Sequence, residues 1–145
     1  MNVSSVTQQQ LIELFQMLAQ SLADSELSKA RRCYHLPCTL STPDNVMLLT
    51  TETEFSEVYQ AIFEQLKDQQ LSGFKMLNST YQKLTETVFL VNIDWQFFSD
   101  DEQLITEFAA IYHVSVIDKQ VKIINAVSQD ISQSLALSQS LIFKA

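Results

Sequence analysis

Residues that break regular structure are scarce in this chain, which has one glycine, Gly73, and two prolines among its 145 residues. A single glycine cannot build a glycine-rich phosphate-binding loop, so the common nucleotide-binding motifs are excluded. No apolar run approaches the roughly 20 residues that cross a bilayer. The first ten residues contain no lysine or arginine. We therefore expect neither a membrane partner nor a secretory signal.

Cysteine and histidine are limited to two residues each, which restricts metal chemistry. Their nearest approach to a zinc motif is Cys33-x-His35-x-x-Cys38. Strand alternation would place Cys33 and His35 on one face and Cys38 on the other, so we expect no metal site and no cofactor. A disulfide between cysteines this close in sequence would stabilise little, so we expect reduced thiols and a cytoplasmic location.

Basic residues are also few, nine against seventeen acidic ones, which gives a formal net charge of −8. This charge repels phosphate backbones unless basic residues cluster locally. The adjacent basic pair Arg31-Arg32 is expected to carry ordinary solvated charges at a helix end. We therefore predict no nucleic-acid partner.

The residues that are abundant are those of a packed globular domain, with 46% hydrophobic and 18% charged residues. A fold of this length buries about two thirds of the surface that its unfolded chain exposes. No low-complexity linker or internal repeat interrupts the sequence, so residues 1–145 are predicted to form a single domain.

The first part of the chain predicts two helices and a hairpin. Thr7 and Gln10 indicate a capping box at the start of the first helix, and Asp24 would cap a short second helix that ends near Arg32. A strand over 34–40 and another over 46–50 are joined by a turn at 42–45. Pro37 places the first of these strands at a sheet edge or at a bulge, because proline cannot donate to a ladder.

A third, long helix is predicted to begin after Thr51 or Thr53 and to end at Gly73, the natural residue for a left-handed C-cap. Beyond it the apolar residues alternate, which predicts four strands, over 74–83, 87–98, 104–117 and 121–127. The tail over 128–145 is ambiguous, and Ile131, Leu135 and Leu141 could mark a helix there. This order predicts an α+β fold with helices packed on one face of a curved, mostly antiparallel sheet.

The order of elements and several local stretches resemble the nuclear transport factor 2-like superfamily, the cystatin-like cone shared with ketosteroid isomerase and scytalone dehydratase. The resemblance covers about residues 5–127 and leaves 128–145 as a C-terminal extension. The stretches that carry it are Tyr34-His35-Leu36-Pro37, Thr42-Pro43-Asp44, Val46-Met47-Leu48, the long helix ending at Gly73, Phe89 to Trp95, Phe108 to Val116 and Val121 to Ile124.

The resemblance implies a cone whose concave sheet face and helices enclose an apolar pocket, and whose convex face commonly pairs with a second subunit. Alternation along the strands sorts residues between these faces. The predicted concave set is Phe89, Val91, Ile93, Trp95 and Phe97 with Phe108, Ala110, Tyr112, Val114 and Val116. The convex set mixes Leu90, Ile105 and Ile111 with Asn92, Asp94, Gln96 and His113, which predicts a homodimer through the sheet.

Six residues are candidates for lining such a pocket and holding a small hydrophobic ligand: Tyr34, His35, Tyr59, Trp95, Tyr112 and Asn125. His35 could transfer a proton, or it could be a structural histidine bonded to backbone. The tyrosines could equally fill the core with their hydroxyls at its rim. Asp94 lies among apolar neighbours, as a catalytic carboxylate would. Alternation places it on the sheet face that Trp95 does not occupy, which favours a polar sheet surface or a dimer seam.

An enzyme is the alternative that the resemblance raises. The ketosteroid isomerase pattern requires a tyrosine on the first helix and two pocket carboxylates, whereas this helix offers Phe15 and the predicted concave face has no Asp or Glu. The dehydratase pattern requires a His–Asp pair among tyrosines. His35 and Tyr112 match parts of it, and no aspartate can be assigned. We therefore expect a dimeric module that binds a hydrophobic ligand or mediates association, rather than an isomerase or dehydratase.

Overall fold

The computed structural model describes residues 8–143, which form three helices and a seven-stranded sheet. The helices are α1 (Gln8–Asp24), α2 (Leu27–Cys33) and α3 (Glu52–Asp68), and a 3₁₀ turn spans Ile131–Gln133. The strands are β1 (Tyr34–Thr42), β2 (Asn45–Leu49), β3 (Leu71–Thr85), β4 (Val88–Ser99), β5 (Leu104–Ile117), β6 (Gln120–Gln129) and β7 (Gln139–Ser140). Within the described range no helix is long and apolar enough to span a membrane.

The sheet has the order β2-β1-β6-β5-β4-β3-β7, and all its pairs are antiparallel except β1 with β6. The predicted α+β class with a mixed, mostly antiparallel sheet is therefore confirmed. β1 lies between β2 and β6, so Pro37 is not on an edge strand. The pairing with β6 shifts register between Tyr34 and Thr39, which is the bulge that Pro37 also allowed.

Of the two helix caps predicted on the N-terminal side, one lies outside the described residues and the other is wrong. Thr7, the expected cap of α1, lies outside the described residues. Asp24 does not cap α2, because α1 continues to Asp24, whose carboxylate accepts a hydrogen bond from Gln20 Nε2 at 2.6 Å. The break comes one residue later, where Ser25 adopts a left-handed conformation with φ of 53°.

The third helix begins as predicted and ends earlier than predicted. Thr51 caps α3, and Glu54 returns the hydrogen bond in a complete capping box. The helix ends at Asp68, and Gln70, with φ of 60°, makes the left-handed turn expected of Gly73. Gly73 lies within β3 instead, so its predicted role as a C-cap is wrong. Two residues, Gln69 and Gln70, separate Asp68 from the start of β3 at Leu71, and they are enough for the chain to reverse and start pairing with β4.

The concave face of the sheet carries the hydrophobic core, as alternation predicted. All five concave residues of β4, from Phe89 to Phe97, are buried, and so are Ala110, Tyr112 and Val114 of β5. Apolar stripes of α1 and α3 close over them through residues such as Leu11, Phe15, Phe55 and Phe63. The cone is thus a packed two-layer core with helices on one side.

The C-terminal tail, whose sequence left its structure open, forms a 3₁₀ turn and a short strand rather than an α-helix. After the 3₁₀ turn it extends across the convex face, and β7 pairs antiparallel with β3 at Thr80 and Tyr81. Leu141 N donates to Ser79 O at 2.8 Å, and the Leu141 side chain is only 4% exposed. The apolar spacing in this segment therefore reflects separate anchoring points along an extended chain.

Candidate functional site

The interior of the cone contains four of the six residues predicted to line a pocket. Tyr34, Tyr59, Trp95 and Tyr112 are all buried. The hydroxyl oxygens of Tyr34 and Tyr59 lie 2.6 Å apart in a hydrogen bond, and Trp95 Nε1 donates to the Tyr112 hydroxyl at 2.9 Å. Their polar atoms are therefore satisfied by one another.

Neighbouring rings leave little free space around these side chains. Phe55 stacks on Tyr59 with ring centroids 4.7 Å apart, and Phe15 lies 4.8 Å from Tyr112. Trp95 meets Phe97 edge to face at 5.8 Å. Contacts of this kind are those of a close-packed core. Across residues 8–143 no buried side-chain nitrogen or oxygen lacks a hydrogen-bond partner.

Burial also fixes the chemistry of the three tyrosines. It raises the pKa of Tyr34, of Tyr59 and of Tyr112 well above the ordinary tyrosine value, because a phenolate would have to be desolvated. All three hydroxyls are therefore neutral near pH 7. The concave residues of β4 and β5 include no Asp, Glu or His, so an acid–base pair for carbonyl chemistry is missing from this part of the described chain.

The other two predicted pocket residues lie elsewhere. His35 is exposed on β1, outside the aromatic cluster. Asn125 lies on the convex face, where it pairs with Thr39 and His113 across neighbouring strands. Thr39 Oγ1 donates to Asn125 Oδ1, and Asn125 Nδ2 donates to His113 Nδ1 at 3.3 Å. Register shifts on both sides of β6 changed its alternation, which the sequence alone did not indicate.

The cysteines are free and buried, Cys33 at the end of α2 and Cys38 in β1. The Cys33 thiol donates to Lys29 O at 3.4 Å. Burial raises the pKa of Cys33 to about 12 and that of Cys38 to about 11, which keeps both thiols protonated and unreactive near pH 7. In the part of the chain that the structure describes, no three His, Cys, Asp or Glu side chains converge as metal ligands would.

Asp94 and Asn92 lie on the convex face, as their alternation against Trp95 predicted, but they are covered by the chain's own tail. Asp94 is 3% exposed and accepts hydrogen bonds from Ser134 Oγ at 2.8 Å, Asn92 Nδ2 at 3.1 Å and Asn78 Nδ2 at 3.3 Å. Asn92 Oδ1 accepts from Leu135 N at 3.0 Å. Asp94 thus belongs to a contact between sheet and tail, which no periodic signal in the tail revealed.

The remainder of the convex face carries apolar side chains that share one surface by strand register. One row joins Val46, Ser41, Val127 and Ile111, and the next joins Leu48, Thr39, Asn125, His113 and Leu90. We call the apolar members of these rows (Val46, Leu48, Leu90, Ile111 and Val127) the convex patch. Val46 is 70% exposed and Leu48 60%. Neither row contains an Asp, Glu, Lys or Arg residue.

Comparisons with known proteins agree with this architecture. The model of a family described as NTF2-like protein (DUF6841) matches residues 7–131. No curated protein matches the chain. A protein of unknown function with a cystatin-like fold from Nostoc punctiforme is 12% identical with a TM-score of 0.69, covering 86% of this chain and 93% of its own.

Two further solved structures carry functional descriptions of their own. A proposed ketosteroid isomerase from Shewanella frigidimarina is 9% identical with a TM-score of 0.66, covering 80% of this chain and 91% of its own. A proposed calcium/calmodulin-dependent protein kinase II association domain from Xanthomonas campestris is 11% identical with a TM-score of 0.62, covering 83% and 84%. At these identities the likeness establishes the fold alone.

Proposed function

The chain belongs to the NTF2-like protein family (DUF6841), and we propose that this member is a non-catalytic association module. It forms a homodimer in which the convex patch of one copy meets that of the other. Structures of the same fold are described both as a proposed isomerase and as a proposed association domain, so the fold alone does not decide between the two. The observation that carries this proposal is the filled interior: Tyr34, Tyr59, Trp95 and Tyr112 are buried, and their polar atoms bond to one another. Because the interior is filled, the outer surface of the cone is the better place for a partner to bind.

The charge distribution supports a second copy as the partner on this surface. Two chains of net charge −8 repel each other, so they associate best through a face free of carboxylates. The convex patch and the polar residues between its members carry no formal charge. The patch crosses five strands, from β2 to β4, which at the usual strand spacing is about 20 Å. A two-fold axis through such a face pairs it with itself.

Sedimentation equilibrium at tens of micromolar tests the homodimer directly. Val46→Arg and Leu48→Arg place charges on the exposed part of the patch, where the fold itself is little affected, and we expect both variants to sediment as monomers. Leu104→Arg is the matched control, because Leu104 is a similarly exposed leucine outside the patch. A monomeric wild type, or patch variants that remain as dimeric as the control, would refute the proposal.

A groove at the rim of the cone supports binding of a small hydrophobic ligand as a second candidate function. It measures about 770 Å³ and lies between α1 and β3, lined by Gln16, Gln20, Phe74, Met76 and Phe143 among others. This volume lies within the usual range for small-molecule sites. Phe74 and Met76 also contact the buried core around Trp95.

The fluorescent probe 1-anilinonaphthalene-8-sulfonate tests this groove in solution. We expect a saturable rise in probe fluorescence with the wild type. Gln20→Phe would fill the groove from an exposed helix position and weaken the rise, whereas Glu13→Phe, on the same helix outside the groove, would not. Absence of a saturable signal, or equal signals from the two variants, would exclude the groove as the ligand site.

A further inference from the structure

A groove of about 620 Å³ runs between the convex face of the sheet and the C-terminal tail, and Asp94 is one of the residues that line it. Its polar side includes Asn78, Thr80 and Ser134, and its apolar side includes Leu135, Leu141 and Ile142. This groove is separate from the convex patch and from the groove at the cone rim. A ligand bound in this groove would therefore be distinct from a second copy on the convex patch and from a hydrophobic ligand in the rim groove.

Among the described residues, no cation forms an ion pair with the carboxylate in this groove. Its three hydrogen-bond donors, Asn78, Asn92 and Ser134, are all neutral. The ion pairs formed within residues 8–143 are Lys29–Glu26, Arg31–Glu52 and Lys83–Glu86, and none includes Asp94. A buried carboxylate without a cation is costly, and one that is hydrogen-bonded to neutral groups recovers only part of that cost.

The carboxylate also retains acceptor capacity. Two carboxylate oxygens offer about four acceptor positions, of which three are used here. Asn78 is held toward Asp94 by a left-handed backbone, with φ of 43°, at the point where β3 shifts register against β4. The surrounding hydroxyl and amide oxygens can accept further N–H groups, while the leucine and isoleucine side chains offer an apolar wall.

We propose that this groove binds a small organic cation, namely an aliphatic primary amine. Its ammonium group donates to Asp94 and to neighbouring side-chain oxygens, and its alkyl chain lies against Leu135 and Ile142. An ammonium supplies three N–H donors in one compact charge, which suits a single buried carboxylate ringed by neutral acceptors. The net charge of −8 adds a general attraction for cations over anions.

Titration of the full chain with n-butylammonium and n-hexylammonium chloride, followed by the side-chain amide NMR signals of Asn78 and Asn92, tests the proposal. We expect saturable shifts, with affinity rising up to about fourfold for each added methylene that the groove covers. 1-Hexanol has a similar size and shape but lacks the charge, and we expect it to bind at least about tenfold more weakly, since one neutral O–H donor replaces a cation with three N–H donors.

Asp94→Asn should reduce hexylammonium affinity to the level of hexanol, whereas Glu107→Gln, which removes an exposed carboxylate from the same sheet face, should leave it unchanged. Circular dichroism establishes that both variants are folded. If Asp94→Asn does not fold, the comparison of amine with alcohol on the wild type decides alone. Equal binding of amine and alcohol, no saturable shift, or unchanged amine binding in folded Asp94→Asn would each overturn the proposal.

Discussion

The contribution of the C-terminal tail to stability can be tested at two adjacent residues of opposite exposure. Leu141 is 4% exposed and packs into the core, whereas its neighbour Ile142 is 73% exposed. Burying a leucine side chain is worth about 1.5–3 kcal/mol in transfer free energy, and the cavity left on truncation adds to the loss. The site lies close to the chain terminus and can partly collapse, so we expect Leu141→Ala to cost about 2–3 kcal/mol.

This loss has a measurable thermal signature. With an unfolding entropy of about 2.1 cal/mol/K per residue, 1 kcal/mol shifts the Tm of a 145-residue domain by about 3 °C. Calorimetry of Leu141→Ala should therefore show a Tm lowered by about 7–10 °C, and Ile142→Ala should remain within about 2 °C of the wild type. If the two variants melt together, the tail is a detachable extension, and the role assigned to Leu141 is wrong.

The remaining predictions concern the interior. Trp95→Ala should cost about 3–5 kcal/mol in urea unfolding, because a large buried aromatic leaves a cavity; a cost below about 1 kcal/mol would contradict its place in the core. Tyr112→Phe removes the acceptor of the Trp95 N–H and should cost about 1–3 kcal/mol, and a neutral effect would mean that this bond does not form. Burial raises the pKa of Cys33 to about 12 and that of Cys38 to about 11. At about pH 8, Ellman's reagent should therefore hardly react with either thiol in the native protein, and it should react with both thiols in guanidinium chloride. Rapid native labelling would refute this.

The sequence predicted the regular parts of the fold because their signals are long and periodic. β5 begins and ends where its alternation does, at Leu104 and Ile117, and the other long strands differ from prediction by a few residues at each end. The separation of Trp95 from Asp94 onto opposite faces follows from the two-residue period of a strand and needs no tertiary information. The capping box at Thr51 is similarly local, since its partner Glu54 is three residues away.

The errors fall where a single residue or a long-range contact decides the structure. Gln70 adopts the left-handed conformation expected of Gly73, and the chain turns before its only glycine. Asn125, a predicted pocket residue, lies instead on the convex face, where β6 shifts register against both of its neighbours. β7 is two residues long and is specified by its contact with β3, so it has no period of its own.

The two buried polar residues of β4 become intelligible only together with the tail. Asn92 and Asp94 lie among the apolar residues of β4, and in isolation they resemble either a catalytic carboxylate or a polar surface. Asn92 accepts from the backbone of Leu135, and Asp94 accepts from Ser134. The family match ends at residue 131, so the sheet side of this contact lies inside the matched region and the tail side beyond it. What the contact adds is an oxygen-lined groove beside Asp94, in the only place where this chain buries a carboxylate among its described residues.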